Sequence, residues 1–192
     1  MRIVGGKFKG KALKTPKSDQ VRPTSDRVRE TIYNILAHNN DLFANDASVD
    51  GSNVIDLFAG TGALGLEALS RGAAFALFVD SSLEGRSLIR ENIMVCGVAA
   101  RARLFKRDAT KLGARGKMGP FSLAFLDPPY GKGLGEKALA ALVDGAWLEE
   151  GALIVWEEAG RADTEAPHGF SALDTRQIGE TQITFFRYTQ LS

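Results

Sequence analysis

Val54-Ile55-Asp56-Leu57-Phe58-Ala59-Gly60-Thr61-Gly62-Ala63-Leu64-Gly65 is the stretch whose reading decides the fold. Val54 to Phe58 is an apolar run of strand length, and Ala63 to Arg71 continues with helix-forming residues, so the stretch reads as buried strand, tight turn and helix. Gly60, Gly62 and Gly65 complete a GxGxxG pattern, in which residues without Cβ allow a sharp strand-to-helix turn and close approach of the backbone to a ligand. Asp80 closes the next apolar run, at the position where an acid meets the hydroxyl pair of a ribose. These two features by themselves fit a dinucleotide as well as any other adenosine-bearing ligand.

Further apolar runs follow at Ala74 to Asp80, Ala102 to Lys106, Phe121 to Leu126 and Ala152 to Trp156, alternating with helical stretches at Leu83 to Cys96 and Leu134 to Asp144. This alternation is the pattern of βαβ units around a parallel sheet. Phe170 to Tyr188 holds two β-prone runs split by Gly179-Glu180 and reads as a terminal hairpin, one strand of which should be antiparallel at or near an edge. Upstream, the first 14 residues contain Gly5-Gly6 between short β-prone pieces and read as a small hairpin or extended arm. Ser25 is a good N-cap for a helix to about Ala37, with Val28, Ile32, Ile35 and Leu36 on one face that should dock on the main domain. A polar loop from His38 to Asn53 completes an extension over residues 1–50, and residues 51–192 form the main domain, the two expected to make one structural unit.

A chain of 192 residues that is 44% hydrophobic can bury the core of one ordinary domain. No run approaches the roughly 18 apolar residues of a membrane span, and the first residues lack a signal-peptide core, so a cytoplasmic protein without a membrane partner is expected. The lone Cys96 in IMVCGV reads as a packing residue, and His38 and His168 make no metal-ligand cluster, so no metal site is expected. The net charge of +1 hides a segregation: residues 1–30 carry nine Lys/Arg against three acids. A basic arm attracts a polyanion such as a nucleic-acid backbone, and Arg2, Lys7, Lys9, Lys11 and Arg22 are its candidate contacts.

Asp127-Pro128-Pro129-Tyr130 follows the run Phe121 to Leu126 and so lies at the carboxyl end of a buried strand, where open α/β sheets place their chemistry. Asp127 offers a carboxylate acceptor. Two prolines have fixed φ and no N–H, so the Pro128 carbonyl can stand as a second rigid acceptor before Pro129. Tyr130 adds a face on which a planar base can stack, and the four together suit the exocyclic amino group of a nucleobase. Such a group needs a donor beside it, which favours S-adenosylmethionine over a nicotinamide. Asp56, placed before the first glycine, could accept from a methionine ammonium and would repel a pyrophosphate. Asp108-Ala109 follows the third strand, where a carboxylate and a backbone N–H can meet adenine. Phe58 and Ser81, beside Asp56 and Asp80, are expected to line the same cofactor pocket.

DLFAGTGALGLEALSRG from Asp56 to Gly72, LDPPY, the upstream RPTSDRVRETIYNIL and the late TQITFFRY together resemble the RsmD family of bacterial 16S ribosomal RNA methyltransferases, which modify the exocyclic N2 of one guanine. The resemblance runs from Arg2 to Tyr188. It implies a Rossmann-like S-adenosylmethionine-dependent methyltransferase fold: a seven-stranded, mostly parallel sheet with a reversed last strand and helices on both faces, preceded by the small N-terminal extension. It also implies S-adenosylmethionine as methyl donor, S-adenosylhomocysteine as product, and small-subunit rRNA, free or in an assembled particle, as the partner of a monomer. By position, Asp56, Gly60 and Gly62 become methionine-side contacts, Asp80 the ribose acid, Asp108 with Ala109 the adenine contacts, and Asp127 to Tyr130 the target-base site. Many related enzymes have Glu where Asp80 stands, which implies a longer or water-mediated contact here. Arg22, Thr24 and Ser25 are implied near the methionine carboxylate or the RNA. An N6-adenine methyltransferase acting on RNA or DNA is the alternative, because the same acceptors can hold adenine's amino group.

Overall fold

Four apolar runs form the parallel centre of the sheet: β1 (Asn53–Leu57), β2 (Phe75–Val79), β3 (Ala102–Phe105) and β4 (Phe121–Leu126). They are joined by β5 (Leu148–Ala159), β6 (Phe170–Ile178) and β7 (Thr181–Tyr188) in one sheet of order β3-β2-β1-β4-β5-β7-β6. This is a computed structural model, and it describes residues 1–16, 25–39, 42, 48–129, 131–160 and 166–190. The helices are α1 (Asp26–His38), α2 (Ala63–Ser70), α3 (Leu83–Cys96) and α4 (Leu134–Asp144).

β1, β2 and β4 are mostly apolar on both faces, Asp56 being the charged exception, because helices cover both faces of the sheet. Val54, Phe78, Leu123 and Phe125 pack in one layer with α1, α2 and α3. Ile55, Leu57, Leu77, Val79, Ala124 and Leu126 pack in the other with α4 and both tryptophans, Trp147 and Trp156. Cys96 ends α3 buried in the first layer. The expected hairpin closes at Gly179-Glu180, and its last strand inserts between its predecessor and the parallel set: β7 is antiparallel to β5 and to β6. The reversed strand is therefore one position in from the edge.

Some boundaries differ from the sequence reading. The first strand ends at Leu57 rather than Phe58, whose φ of 58° turns the chain out of the sheet. The fifth strand begins at Leu148 rather than Ala152, because Phe121 of β4 pairs with Leu148 before the register shifts to Leu123 opposite Leu153.

The N-terminal segment is a docked hairpin and not a projecting arm. A bridge joins Arg2 to Ala12, Ile3 N–H donates to Lys11 O at 3.0 Å, and Gly10 N–H donates to Ile3 O at 2.9 Å. Ile3 and Leu13 are buried in the layer of α2 and α3. Val4 N–H donates to the buried Glu67 carboxylate at 2.9 Å, and Phe8 N–H donates to Ser70 Oγ at 2.9 Å. The hairpin's tip is a 3-10 turn, Gly6–Phe8, held at the C-terminal end of α2, about 12 Å of helix away from the glycine turn that starts it. Lys7 and Lys9 are thereby kept from the carboxyl ends of the parallel strands, and the Lys11 ammonium donates to Val95 O at 3.0 Å. Arg29, one of the nine cations counted in the basic stretch, is fully buried on α1, donating to Arg2 O at 2.5 Å and to Asp26 at 2.8 Å. Lys17, Arg22 and Thr24 lie outside the described residues, whereas Ser25 accepts from Val28 N–H at 3.2 Å as the cap of α1.

Gly6 carries the docking. Its φ is +72°, and a Cβ there would lie 2.1 Å from the Ser70 carbonyl oxygen, a backbone atom that cannot move alone. Gly6→Ala should therefore loosen the hairpin and strip the Glu67 carboxylate of a donor, lowering stability by about 2 kcal/mol in urea unfolding. A midpoint equal to that of the wild type would show that the hairpin adds nothing to stability.

Candidate active site

The strand order reverses between β1 and β4, and in open α/β sheets a ligand crevice forms at that switch point, outside the carboxyl ends of the strands. Three acids converge there from three adjacent strands. Asp56 lies within β1, Asp80 follows β2 and Asp127 follows β4. Neighbouring strands are about 4.8 Å apart, so the outer two acids flank the first within ionic range.

The turn after β1 is built by left-handed residues: Phe58 at φ 58°, Gly60 at 54° and Gly62 at 75°, the last capping α2. A bulky residue at positive φ costs about 1–2 kcal/mol, a local strain held by the packing of Phe58 against the second core layer. Gly65 is required for a different reason, close approach: a Cβ there would sit 2.5 Å from Phe78 Cε1 and 3.1 Å from Asp56 Oδ2. That oxygen accepts the Gly65 N–H at 2.9 Å, so Asp56 also satisfies one of the unpaired donors at the start of α2. Burial pushes the Asp56 carboxyl well up from its ordinary value, and the negative charges of Asp127 and Asp80 push the same way, against the Gly65 N–H.

Asp80 joins two elements. Its Oδ2 accepts from Gly60 N–H at 2.8 Å, and its Oδ1 accepts from both Ser82 N–H and Ser82 Oγ–H at 2.7 Å. Ser82 in turn caps α3 by accepting from Gly85 N–H at 3.0 Å. Three of the carboxylate's roughly four acceptor positions are taken, so a ribose hydroxyl at this edge would share an oxygen that already organises the glycine turn. Ser81 is exposed beside it, and its carbonyl accepts from Arg86 at 2.5 Å.

On the neighbouring rim, Asp108 Oδ1 accepts from Thr110 N–H at 2.9 Å and Thr110 Oγ1 at 2.7 Å. These bonds hold the Asp108 carboxyl below the ordinary carboxylate value. Ala109 is buried in the second layer. Asp127 is half-buried, Pro128 buried and Pro129 exposed, while Tyr130 lies outside the described residues. The chain then enters α4 through Gly133, and Gly135 in its first turn lies against the Trp156 indole.

The crevice thus gathers Asp56, Asp80 and Asp127 with the glycine turn, and Asp108 and Ala109 stand at the adjoining strand. Lys7 and Lys9 are not brought there. Sequence reading missed Asn92, which is fully buried on α3. Its Nδ2 donates to Thr61 O at 2.9 Å and to Lys14 O at 3.1 Å, and its Oδ1 accepts from Lys14 N–H at 2.7 Å, tying the N-terminal segment to the glycine turn. The signal was a polar residue inside the stripe Leu88, Ile89, Ile93 and Cys96, where helical spacing calls for a core position.

A buried carboxyl at Asp56, with the negative charges of Asp127 and Asp80 acting on it, suits a cation, and S-adenosylmethionine carries two positive centres, an ammonium and a sulfonium. The donor set therefore fits that cofactor. Among the described residues there is no group of three or more His, Cys, Asp or Glu that could hold a metal ion.

The sheet order, the reversed β7 and the glycine turn after β1 define an S-adenosylmethionine-dependent methyltransferase of Rossmann-like fold. Within that class the chain belongs to the family described as "Conserved hypothetical protein 95", whose model matches residues 1–187, which is the RsmD family of the sequence resemblance. It is 40% identical over 157 residues to the ribosomal RNA small subunit methyltransferase D of Escherichia coli K12, covering 82% of this chain and 74% of the relative. A putative rRNA methyltransferase of Bacillus subtilis is 37% identical over 161 residues, covering 82% of each. Among solved structures, a putative methyltransferase from Escherichia coli superposes with a TM-score of 0.80 at 31% identity over 98% of both chains. An RNA methyltransferase from Salinibacter ruber, in complex with S-adenosylhomocysteine, shares the fold with a TM-score of 0.65 at 14% identity, covering 89% of this chain and 96% of that one.

Proposed function

We propose that the protein transfers a methyl group from S-adenosylmethionine to the exocyclic N2 of a guanine in small-subunit rRNA, with Asp127 and the Pro128 carbonyl as acceptors for the amino hydrogens. The observation that carries this reading is the place of Asp127. It stands at the sheet's switch point, close enough to Asp56 to repel it, so a cation on Asp56 and an amine on Asp127 would meet. S-adenosylmethionine supplies an electrophilic methyl group on a sulfonium. The guanine N2 lone pair is delocalised into the ring, and acceptors on its hydrogens favour the pyramidal geometry in which that pair forms the new N–C bond. Asp127 also stabilises the positive charge developing on nitrogen, a positioning and electrostatic role in a partly buried site. After transfer the nitrogen is strongly acidic and its proton passes to Asp127 or to water.

The amino edge of a stacked base is hidden, so the target guanine sits in a loop or turns outward, with Tyr130 as its stacking partner. Asp56 holds the methionine ammonium and Asp80 fixes the glycine turn while meeting the ribose. Asp108 and Ala109 meet adenine, and Phe58 and Ser81 line the pocket. Arg2, Lys7, Lys9 and Lys11 contact RNA outside the crevice, as part of one structural unit with the methyltransferase domain, and Arg22 is a further RNA contact. The crevice is assembled from one chain, which supports a monomer. No helix among the described residues is long and apolar enough to cross a membrane, and action in the cytoplasm, on free or assembled rRNA, accords with such a substrate.

The test is transfer of labelled methyl from S-adenosylmethionine to protein-free small-subunit rRNA, assembled small subunits and duplex DNA, followed by nucleoside digestion. Label in N2-methylguanosine is expected. Label in N6-methyladenine would keep the donor site and overturn the target base.

A further inference from the structure

The second concentration of positive charge lies far from the N-terminus. Residues 101–117 hold seven basic residues, Arg101, Arg103, Lys106, Arg107, Lys111, Arg115 and Lys117, against the single acid Asp108. With residues 1–30 at +6, this stretch at +6 and the chain at +1, the remainder carries −11, so the local excess is set in an acidic background. The stretch begins with Arg101 at the end of a 3-10 turn and continues through the edge strand β3 and the loop that follows it. Arg103, Lys106, Arg107, Lys111 and Lys117 are exposed. The loop that carries them is fixed: Leu112 is buried in the second core layer, and the Trp147 indole N–H donates to Gly113 O at 2.7 Å. Arg107 donates to Leu112 O, and Arg115 donates to Met118 O. The guanidiniums of Arg103 and Arg107 lie 6.0 and 5.1 Å from the centroid of the half-buried Phe105 ring.

Charge on an edge strand can serve only to prevent edge-to-edge pairing. The opposite edge of this sheet meets that need differently: β6 carries Asp174 and Arg176, joined in an ion pair at 2.9 Å. On the β3 side the cations are of one sign and continue into a loop that exposes no strand edge. They lead to Asp108 and Ala109 on the rim of the crevice, about three strand spacings, or roughly 14 Å, from Asp127.

We infer that the β3 edge and the loop to Lys117 form a second RNA-binding surface, which holds the phosphate backbone flanking the target guanine. The exposed Lys and Arg neutralise phosphates, and the planar guanidiniums beside Phe105 offer faces for an unpaired base. This rests on the rRNA reading given above.

The test uses the full chain with Arg103→Gln, Lys106→Gln and Lys117→Gln combined, none of which touches the crevice. Binding to protein-free small-subunit rRNA should weaken on the order of 10-fold to 100-fold near 0.1 M salt. The slope of log affinity against log salt should shrink by roughly two to three, while S-adenosylmethionine affinity and the melting temperature stay those of the wild type. Unchanged RNA affinity and slope would overturn the proposal. So would normal binding to protein-free rRNA combined with slower methylation of assembled subunits, which would assign the surface to a ribosomal protein. If the wild-type protein methylates no small-subunit rRNA in any form, the underlying functional reading fails instead.

Discussion

Asp127→Ala should methylate rRNA on the order of 10²-fold to 10³-fold more slowly than the wild type, a loss of about 3–4 kcal/mol of transition-state stabilisation. The loss belongs in kcat, because the acceptor acts most strongly when charge has developed on N2, and ground-state RNA binding is spread over surfaces elsewhere. Asp127→Asn separates the two contributions: it keeps one acceptor oxygen in place and removes the charge, so it should fall between the alanine variant and the wild type. Both variants should still bind S-adenosylmethionine, measured by calorimetry, since Asp56, Asp80 and the glycine turn are untouched. Near-normal kcat in Asp127→Ala would remove this residue from the mechanism. Removing the Asp127 charge should also let the Asp56 carboxyl fall toward its ordinary value, because Asp127 is one of the groups that hold it up.

Asp56→Asn should make the protein without cofactor more stable and its cofactor complex much weaker. The single amide oxygen of Asn can take the place of Asp56 Oδ2 as acceptor of the Gly65 N–H, so the start of α2 remains capped. The native carboxyl is raised, first by burial and then by Asp127 and Asp80, so its contribution to stability is present at low pH and lost as pH rises through the raised value. At neutral pH, well above the ordinary carboxylate value, keeping the raised Asp56 carboxyl in the fold is a cost that Asn does not incur. The gain in melting temperature should therefore be clear at pH 7 and disappear near pH 4, the ordinary carboxylate value being about 3.9. Cofactor affinity should fall about 10-fold to 100-fold, the size of a charge-assisted hydrogen bond. In the wild type, affinity should decline as acid protonates Asp56, and the variant should lose that component of the pH dependence. A variant less stable than the wild type at pH 7 would mean that the carboxylate is satisfied within the folded protein without a cation.

The docked hairpin gives these site residues a support that local sequence did not announce. Asn92 bonds to Lys14 on one side and Thr61 on the other, so a change in the N-terminal segment is carried to the glycine turn through one buried amide. Glu67 on α2 has the same character, accepting from Val4 N–H and from Arg71 at 2.9 Å. Both are polar residues at core positions of helices, where an unpaired group would be costly.

By itself, the sequence determined the features that depend on neighbours along the chain. Apolar runs of strand length alternating with helical stretches fixed the α/β class, Ser25 fixed the start of α1, and Gly179-Glu180 fixed the terminal hairpin. The glycine turn and the acid–proline–proline edge were legible because each is a short run whose backbone and donor chemistry need no distant partner. Tertiary structure decided what depends on contacts between remote segments. It placed β7 between β5 and β6, buried Arg29, and carried Lys7 and Lys9 to the far end of α2. It set the negative charges of Asp80 and Asp127 on either side of Asp56 across β2, β1 and β4, and it put Arg103 on an edge strand with the cations that follow on the adjoining loop. Charge counts and periodicities carry no information on which strand ends become neighbours; sheet order and packing supply it, and with it the electrostatics of the site.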